Sequence, residues 1–177
     1  KIKDLAEQKD HSSMNVEENE ILGFGEIWSS KMLHDYLTSL SDIKSSWINP
    51  MEFLVIRNQE MGANVNWSKS KEAFNQRFQV IEGKIIMGGF IASDEEGRPT
   101  NLGRNGSDYS ASILGSLSES NSVTIWTDVD GVLTGDPRVV SNARIIEQMT
   151  YDEAVELYYF GAESDTSKNR WAPLMHK

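Results

Sequence analysis

The chain has 177 residues, 38% of them hydrophobic, which is enough to bury one core of ordinary domain size. It has no cysteine, which excludes a disulfide framework, a thiolate zinc site and a cysteine nucleophile, and His11, His34 and His176 stand too far apart to show a metal-ligand spacing. The formal net charge of −10 argues against non-specific binding to nucleic acid or to an anionic membrane, since both depend on clustered Lys and Arg.

An anionic ligand must therefore be held locally, by helix N-termini and single arginines. No run of 18 apolar residues and no basic-apolar-small leader pattern occurs, so a cytoplasmic protein is the simplest expectation. Residues 1–19 are polar and read as a helix remnant or a boundary. From Ile27 the apolar positions Ile27, Trp28, Met32, Leu33, Tyr36, Leu37 and Leu40 recur at helical spacing, which predicts an amphipathic helix over Glu26 to Leu40. The preceding "GFGE" predicts a tight turn into that helix, with Glu26 in its first turn. Further on, "MEFLVI" is either a short buried strand or a helical turn, and "WSKSKEAFNQRF" reads as a helix.

Lys84 to Ala92, "KIIMGGFIA", predicts a buried strand running into the Gly88-Gly89 pair. Glycines in that place mark either a close approach of backbone to a ligand or a bulge or tight turn. The polar loop "SDEEGRPTN" follows, and then "LGRNGSDYSASILGSLSES", a glycine-rich turn opening a helix. Its expected apolar face is Ile113, Leu114 and Leu117, and Ser107 or Asp108 is the expected N-cap. Backbone N–H groups at such a turn suit an anion, and Arg104 offers a planar fork for a carboxylate; the bland reading is a helix cap. The spacing is neither a Walker A loop nor G-x-G-x-x-G. The next strand candidate is "SVTIW", followed by "TDVDGVLTGDPR" and a helix opened by the T-x-x-E capping box of Thr150 and Glu153. Strand, glycine loop, helix, strand, turn, helix is a βαβα order, which predicts an α/β fold with a mainly parallel sheet and ligands at the strands' carboxyl ends.

Two chemistries use a strand that ends in spaced aspartates such as Asp128 and Asp130. One is a haloacid-dehalogenase-type phosphatase, with Asp128 as nucleophile. The other is a nucleotide-binding turn in a kinase. Here the turn comes late and too little chain follows it for the Ser/Thr, Lys and acidic pair that the phosphatase would still need.

The residues then carry a resemblance. "LGRNGSDYSA" resembles the aspartokinase signature LGRGGSDYSA, and "WTDVDGVLTGDPRVVSNARIIEQMTYDEAVELYYFGA" is similar to that family's next block almost throughout. "GFGE" resembles its S-x-GE motif, and "MGGFIASDEEGRPTNLGR" its GFIG-x-D-x-x-G-x-x-x-x-LGR. The resemblance implies the three-layer α/β/α sandwich of the amino-acid kinase superfamily, present incompletely. It also implies ATP-dependent phosphorylation of the β-carboxylate of L-aspartate to 4-phospho-L-aspartate, the first step toward lysine, threonine and methionine. A carboxylate of pKa about 3.9 is already ionised at neutral pH, so the absence of a histidine or cysteine base is no objection.

By the same resemblance Arg104 is expected to grip the α-carboxylate of aspartate and Glu26 its ammonium, with Gly103, Gly106 and Ser107 contacting substrate or phosphate. Asp108 is the expected catalytic carboxylate, orienting the site or its metal. Gly88, Gly89, Thr127, Asp128, Leu133, Asp136 and Arg138 are expected around the nucleotide; Leu133 stands where many family members carry Tyr. Mg2+ is expected to arrive with ATP, without a dedicated protein site. Two segments depart from the family: no K-F-G-G-T-S strand occurs, and "YFGA" runs into Glu163-Ser164-Asp165-Thr166 where K-V-L-H-P would continue. Residues 1–162 are therefore expected to be an incomplete catalytic domain, inactive alone, and 163–177 an unmatched tail. The expected partners are L-aspartate, ATP, a second copy in a homodimer, and fused ACT domains or another biosynthetic enzyme. The rival expectation is a non-catalytic interaction piece of a larger fused enzyme.

Overall fold

The structure is a computed structural model that describes residues 11–40, 42–59, 62–78, 81, 83–126 and 131–161. Its chain forms two compact units, divided between Ser120 and Asn121.

Within the described residues of the first unit, α1 (His11–Ser39) comes first and runs straight through "GFGE". The expected turn at these glycines is absent, and Glu26 sits in mid-helix rather than in a first turn. Packing overrides the weak helix propensity of glycine here: a Cβ on Gly23 would lie 2.9 Å from Cγ2 of Ile91, so the bare backbone lets the helix close on its neighbour. The docking side of α1 is small and polar. Ser30 is buried; its hydroxyl bonds back to the Glu26 carbonyl at 2.7 Å and accepts from Nε1 of Trp47 at 3.0 Å. His34 Nδ1 meets the Ser45 hydroxyl at 3.0 Å, and Asn101 donates from its amide to Oδ1 of Asn19. The opposite side carries Trp28, Met32, Leu33 and Tyr36, all at least half exposed. The apolar periodicity therefore identified a helix, while of the stripe it traced Ile27 and Leu37 are half-buried and the rest is exposed in this unit.

Among the described residues three two-stranded sheets follow. β1 (Ser45–Trp47) pairs parallel with β4 (Lys84–Ile86), Ser45 opposite Lys84. β2 (Ile56–Gln59) and β3 (Gly62–Val65) form one antiparallel hairpin, β5 (Ile91–Ser93) and β6 (Pro99–Asn101) another. A parallel bridge between Val55 and Ser93, with Ser93 N donating to the Leu54 carbonyl at 2.9 Å, links the two hairpins. "MEFLVI" is thus both of its alternatives in succession: a 3-10 turn at Pro50–Glu52, capped by the Asn49 side chain, and then the start of β2. The single buried strand expected over Lys84 to Ala92 is instead two, β4 and β5, separated by residues 87–90; β4 is largely exposed and β5 is buried.

The helix α2 (Trp67–Phe78) spans the residues expected for it. Phe74 and Phe78 stack at 4.0 Å, and both meet Phe53 edge-on, at 5.7 and 5.4 Å. Ser70 is fully buried, yet its hydroxyl accepts from Val55 N at 3.0 Å and donates to Val55 O at 3.2 Å, so the polar group is satisfied while tying α2 to the β2 edge. The core continues through Ile48, Leu54, Ile56 and Ala92 to Ile113 and Leu117 of α3 (Gly106–Leu117).

In the second unit "SVTIW" is not a strand, and Trp126 is 92% exposed. Leu133 bridges Ile145 antiparallel, supported by Thr134 N to Arg144 O at 2.8 Å and Ile146 N to Val132 O at 2.7 Å. The capping box expected at α4 (Tyr151–Gly161) is present and reciprocal: Thr150 N donates to Oε2 of Glu153 at 2.7 Å, and Glu153 N to Oγ1 of Thr150 at 3.2 Å. Those hydrogen bonds hold the Glu153 carboxyl below its usual range.

Candidate functional site

Residues 87–90, between β4 and β5, thread a narrow gap. A Cβ on Gly88 would stand 2.9 Å from the Glu26 carbonyl oxygen, and one on Gly89 would stand 2.9 Å from Cα of Ser107. The backbone of this segment is therefore pressed between mid-α1 and the first turn of α3. What the glycine pair permits here is close approach of its backbone to that of Glu26 and Ser107. Ile91 N donates to the Gly89 carbonyl at 2.8 Å and closes a three-residue γ-turn on Phe90, whose φ of 69° belongs to the strained, left-handed form of that turn.

The second loop is Gly103 to Asn105. Oδ1 of Asn101 accepts from Gly103 N at 2.8 Å, and Gly103 and Asn105 both take positive φ, 72° and 58°. Asn105, not Ser107 or Asp108, is the N-cap of α3, and its side chain makes no capping bond. The left-handed backbone at Asn105 starts the helix two residues earlier than the N-cap residue types suggested. Ser107 and Asp108 consequently lie inside the first turn, where backbone N–H groups have no intrahelical acceptor and an anion is favoured. Arg104 and Ser107 are exposed, Asp108 is half-buried and Gly106 is buried. Burial raises the Tyr109 phenol above its usual range.

Among the residues selected from sequence, the fold brings Glu26, Gly88, Gly89, Gly106 and Ser107 together, with Gly103, Arg104 and Asp108 on the same loop and helix start. Leu133, Asp136 and Arg138 belong to the second unit. There the Asp136 carboxylate accepts from Arg138 N at 2.9 Å and pairs with its guanidinium at 3.1 Å, while the Asp136 carbonyl accepts from Val140 N at 2.7 Å. This compact turn follows Gly131, which has φ 145°. Thr127 and Asp128 lie outside the described residues, as does the tail 163–177. Among the described residues no three His, Cys, Asp or Glu side chains gather as a metal cage, and no helix is long and apolar enough to cross a membrane. Sequence reasoning passed over Phe90 and Ser110. The signal for Phe90 was its place directly after two glycines; the signal for Ser110 was a hydroxyl one helical turn beyond Gly106.

The amino acid kinase family profile matches residues 2–168. Over 146 residues, 80% of this chain and 16% of the relative, the chain is 44% identical to the chloroplastic bifunctional aspartokinase/homoserine dehydrogenase 1 of Zea mays. It is 35% identical to lysine-sensitive aspartokinase 3 of Escherichia coli over 82% of this chain and 32% of that one. The solved structure of E. coli aspartokinase III in complex with aspartate and ADP superposes with a TM-score of 0.71 at 34% identity, covering 81% of this chain and 32% of that chain. The chain thus spans less than a third of the length of these relatives, and the α/β fold expected of it holds. With its profile matched almost end to end and its glycine turn packed against a helix start, the chain belongs to the amino acid kinase family.

Proposed function

We propose that this chain supplies the aspartate-binding part of a kinase that transfers the γ-phosphoryl group of ATP to the β-carboxylate of L-aspartate. The observation that carries the reading is the convergence of Glu26, the Gly88–Gly89 turn and the first turn of α3 in one place, with Arg104 just ahead of it. An amino acid presents one ammonium and two carboxylates. Glu26 offers charge for the ammonium, and Arg104 offers a bidentate fork for the α-carboxylate. The N–H groups of the α3 first turn favour the anionic end of the substrate or the transferring phosphate.

The chemistry asks for little beyond placement. An oxygen of the ionised β-carboxylate attacks the γ-phosphorus; the P–O bond to the β-phosphate breaks, and ADP leaves with that electron pair. No proton has to be removed first, so positioning and charge cover are the protein's share of the work. Mg2+ bound with ATP would supply charge neutralisation at the phosphates, and such an ion needs only one or two protein carboxylates; Asp108 in the α3 first turn is assigned to orient the site or that ion. Gly88 and Gly89, whose turn borders the α3 start, and Thr127, Asp128, Leu133, Asp136 and Arg138 are assigned to the nucleotide. In this reading residues 1–162 are part of a catalytic domain that works within a longer polypeptide, and the isolated chain turns over poorly or not at all.

The test is Arg104→Lys in the complete gene product carrying these residues. The aspartate KM rises about ten- to a hundredfold, as expected for loss of a charge-assisted bidentate pair, while the ATP KM stays within about twofold. An equal loss of both affinities would mean a damaged fold rather than a lost carboxylate contact.

A further inference from the structure

Ser110 lies one turn into α3, and its hydroxyl makes two bonds that fit a single O–H. It donates to the Gly106 carbonyl at 2.9 Å and accepts from the backbone N–H of Phe90, also at 2.9 Å. Phe90 is therefore held from both ends by the segment that carries Arg104 and Ser107: its N–H by Ser110, its carbonyl by Leu102 N at 2.8 Å. The fit around it is close. A Cβ on Gly106 would come within 2.8 Å of the Phe90 ring and 3.2 Å of Cβ of Leu102, and Gly89 already sits on Cα of Ser107. Phe90 also holds a φ of 69°, a conformation that a bulky residue keeps only when its surroundings impose it.

We infer that Ser110 is a positioning residue, whose hydroxyl locks the strained turn centred on Phe90 onto the first turn of α3 and so sets the spacing between Glu26 and the Arg104–Ser107 loop. The chain of contacts is continuous: Glu26 against Gly88, Gly89 against Ser107, Phe90 bonded to Ser110, and Ser110 bonded back to Gly106. Without the hydroxyl the Phe90 N–H loses its acceptor, the left-handed turn loses one of the bonds that oppose its relaxation, and the spacing between the two walls of the proposed aspartate site is less tightly fixed. The effect on aspartate rests on the kinase reading above; the effect on the turn does not.

The experiment compares Ser110→Ala, Ser110→Thr and Ser110→Cys in the complete gene product. Alanine suits a helix interior, so α3 itself is kept, and threonine keeps the hydroxyl. Amide hydrogen exchange at Phe90 reads the bond directly: faster in Ala, intermediate in Cys, near wild type in Thr. Kinetics read the consequence. Ser110→Ala raises the aspartate KM by roughly three- to tenfold with the ATP KM unchanged, and Ser110→Thr restores it. A Phe90 amide that exchanges equally in Ala and wild type overturns the inference outright. So does a Ser110→Ala variant whose aspartate and ATP KM values shift together. Should Ala not fold, the Cys and Thr pair carries the same comparison, and Cys matching Thr in both readouts overturns the inference. If Arg104→Lys leaves aspartate untouched while the Phe90 amide still responds to Ser110→Ala, the substrate reading has failed and the turn lock stands.

Discussion

Two stretches of this chain join paired glycines to a phenylalanine, Gly23-Phe24-Gly25 and Gly88-Gly89-Phe90, and they do opposite things. The first is swallowed by a 29-residue helix. The second forms a strained turn between two strands. Glycine's freedom explains neither outcome by itself; what decides is which backbone or side chain occupies the space where a Cβ would be. Gly25 has nothing within 4 Å of that space and Gly23 has the side chain of Ile91, whereas Gly88 and Gly89 have main-chain atoms of Glu26 and Ser107. A side chain can give way to a neighbour more readily than a packed backbone can, so only the second pair is locked in as glycine.

The largest effect that would break this contrast is expected at Gly89. Gly89→Ala forces a Cβ into the backbone of Ser107 and should destabilise the first unit by about 1–3 kcal/mol, read as a lower denaturant midpoint with the slope unchanged. A neutral substitution would mean that the turn and α3 are not in contact in solution. At Gly25 the sign reverses. Alanine meets open space at an exposed position in mid-helix, so Gly25→Ala should stabilise the chain by about 0.5–1 kcal/mol, with helical ellipticity retained on heating to a higher temperature. A loss of stability there would indicate that "GFGE" is a turn after all and that α1 starts later.

The smallest effect lies at the far end of the hairpin that the Phe90 turn begins. Glu95 accepts from Arg57 at 3.0 Å and from Asn66 at 2.7 Å, with Lys69 at 3.4 Å, and the Arg57 hydrogen bond leads in lowering its carboxyl to about 2. A carboxyl depressed in the folded state stabilises it above its unfolded value, near 4.5, and that contribution is lost as the pH falls through about 2. Because the pair is exposed, its share is small. Glu95→Gln should lower the denaturant midpoint slightly at pH 7 and match wild type near pH 2, while Phe90 amide exchange stays unchanged at both. A change at Phe90 would show that the two ends of the hairpin are coupled and that the turn is not held locally.

What was legible in the sequence is what short-range chemistry controls. The helix Trp67–Phe78 could be read because apolar and polar residues alternate at its own period, and the box of Thr150 and Glu153 because both its bonds close within three residues. The buried positions Ile113 and Leu117 of α3 follow from the same i to i+4 logic. The family resemblance was carried by contiguous motifs for that reason as well. The candidate site was legible as residue types, an arginine, a carboxylate and glycines, but not as an arrangement.

The sequence by itself determined, then, that helices form at these places, that glycines flank the candidate site and which family the motifs resemble. Only tertiary contact decided where the elements end. The helix α1 extends through Gly23 because Ile91, 68 positions on, fills the space beside it. The segment from Lys84 to Ala92 breaks in two because Glu26 and Ser107 leave room for backbone alone at Gly88 and Gly89. The helix α3 starts at Gly106 after the left-handed Asn105, with Phe90 packed against that glycine, and Phe90 keeps its left-handed turn because Ser110, 20 residues later, holds its N–H. Each of these outcomes rests on groups far apart in the chain, whose meeting no local pattern encodes, since the entropy of closing those loops is recovered only when the packed interface forms as a whole.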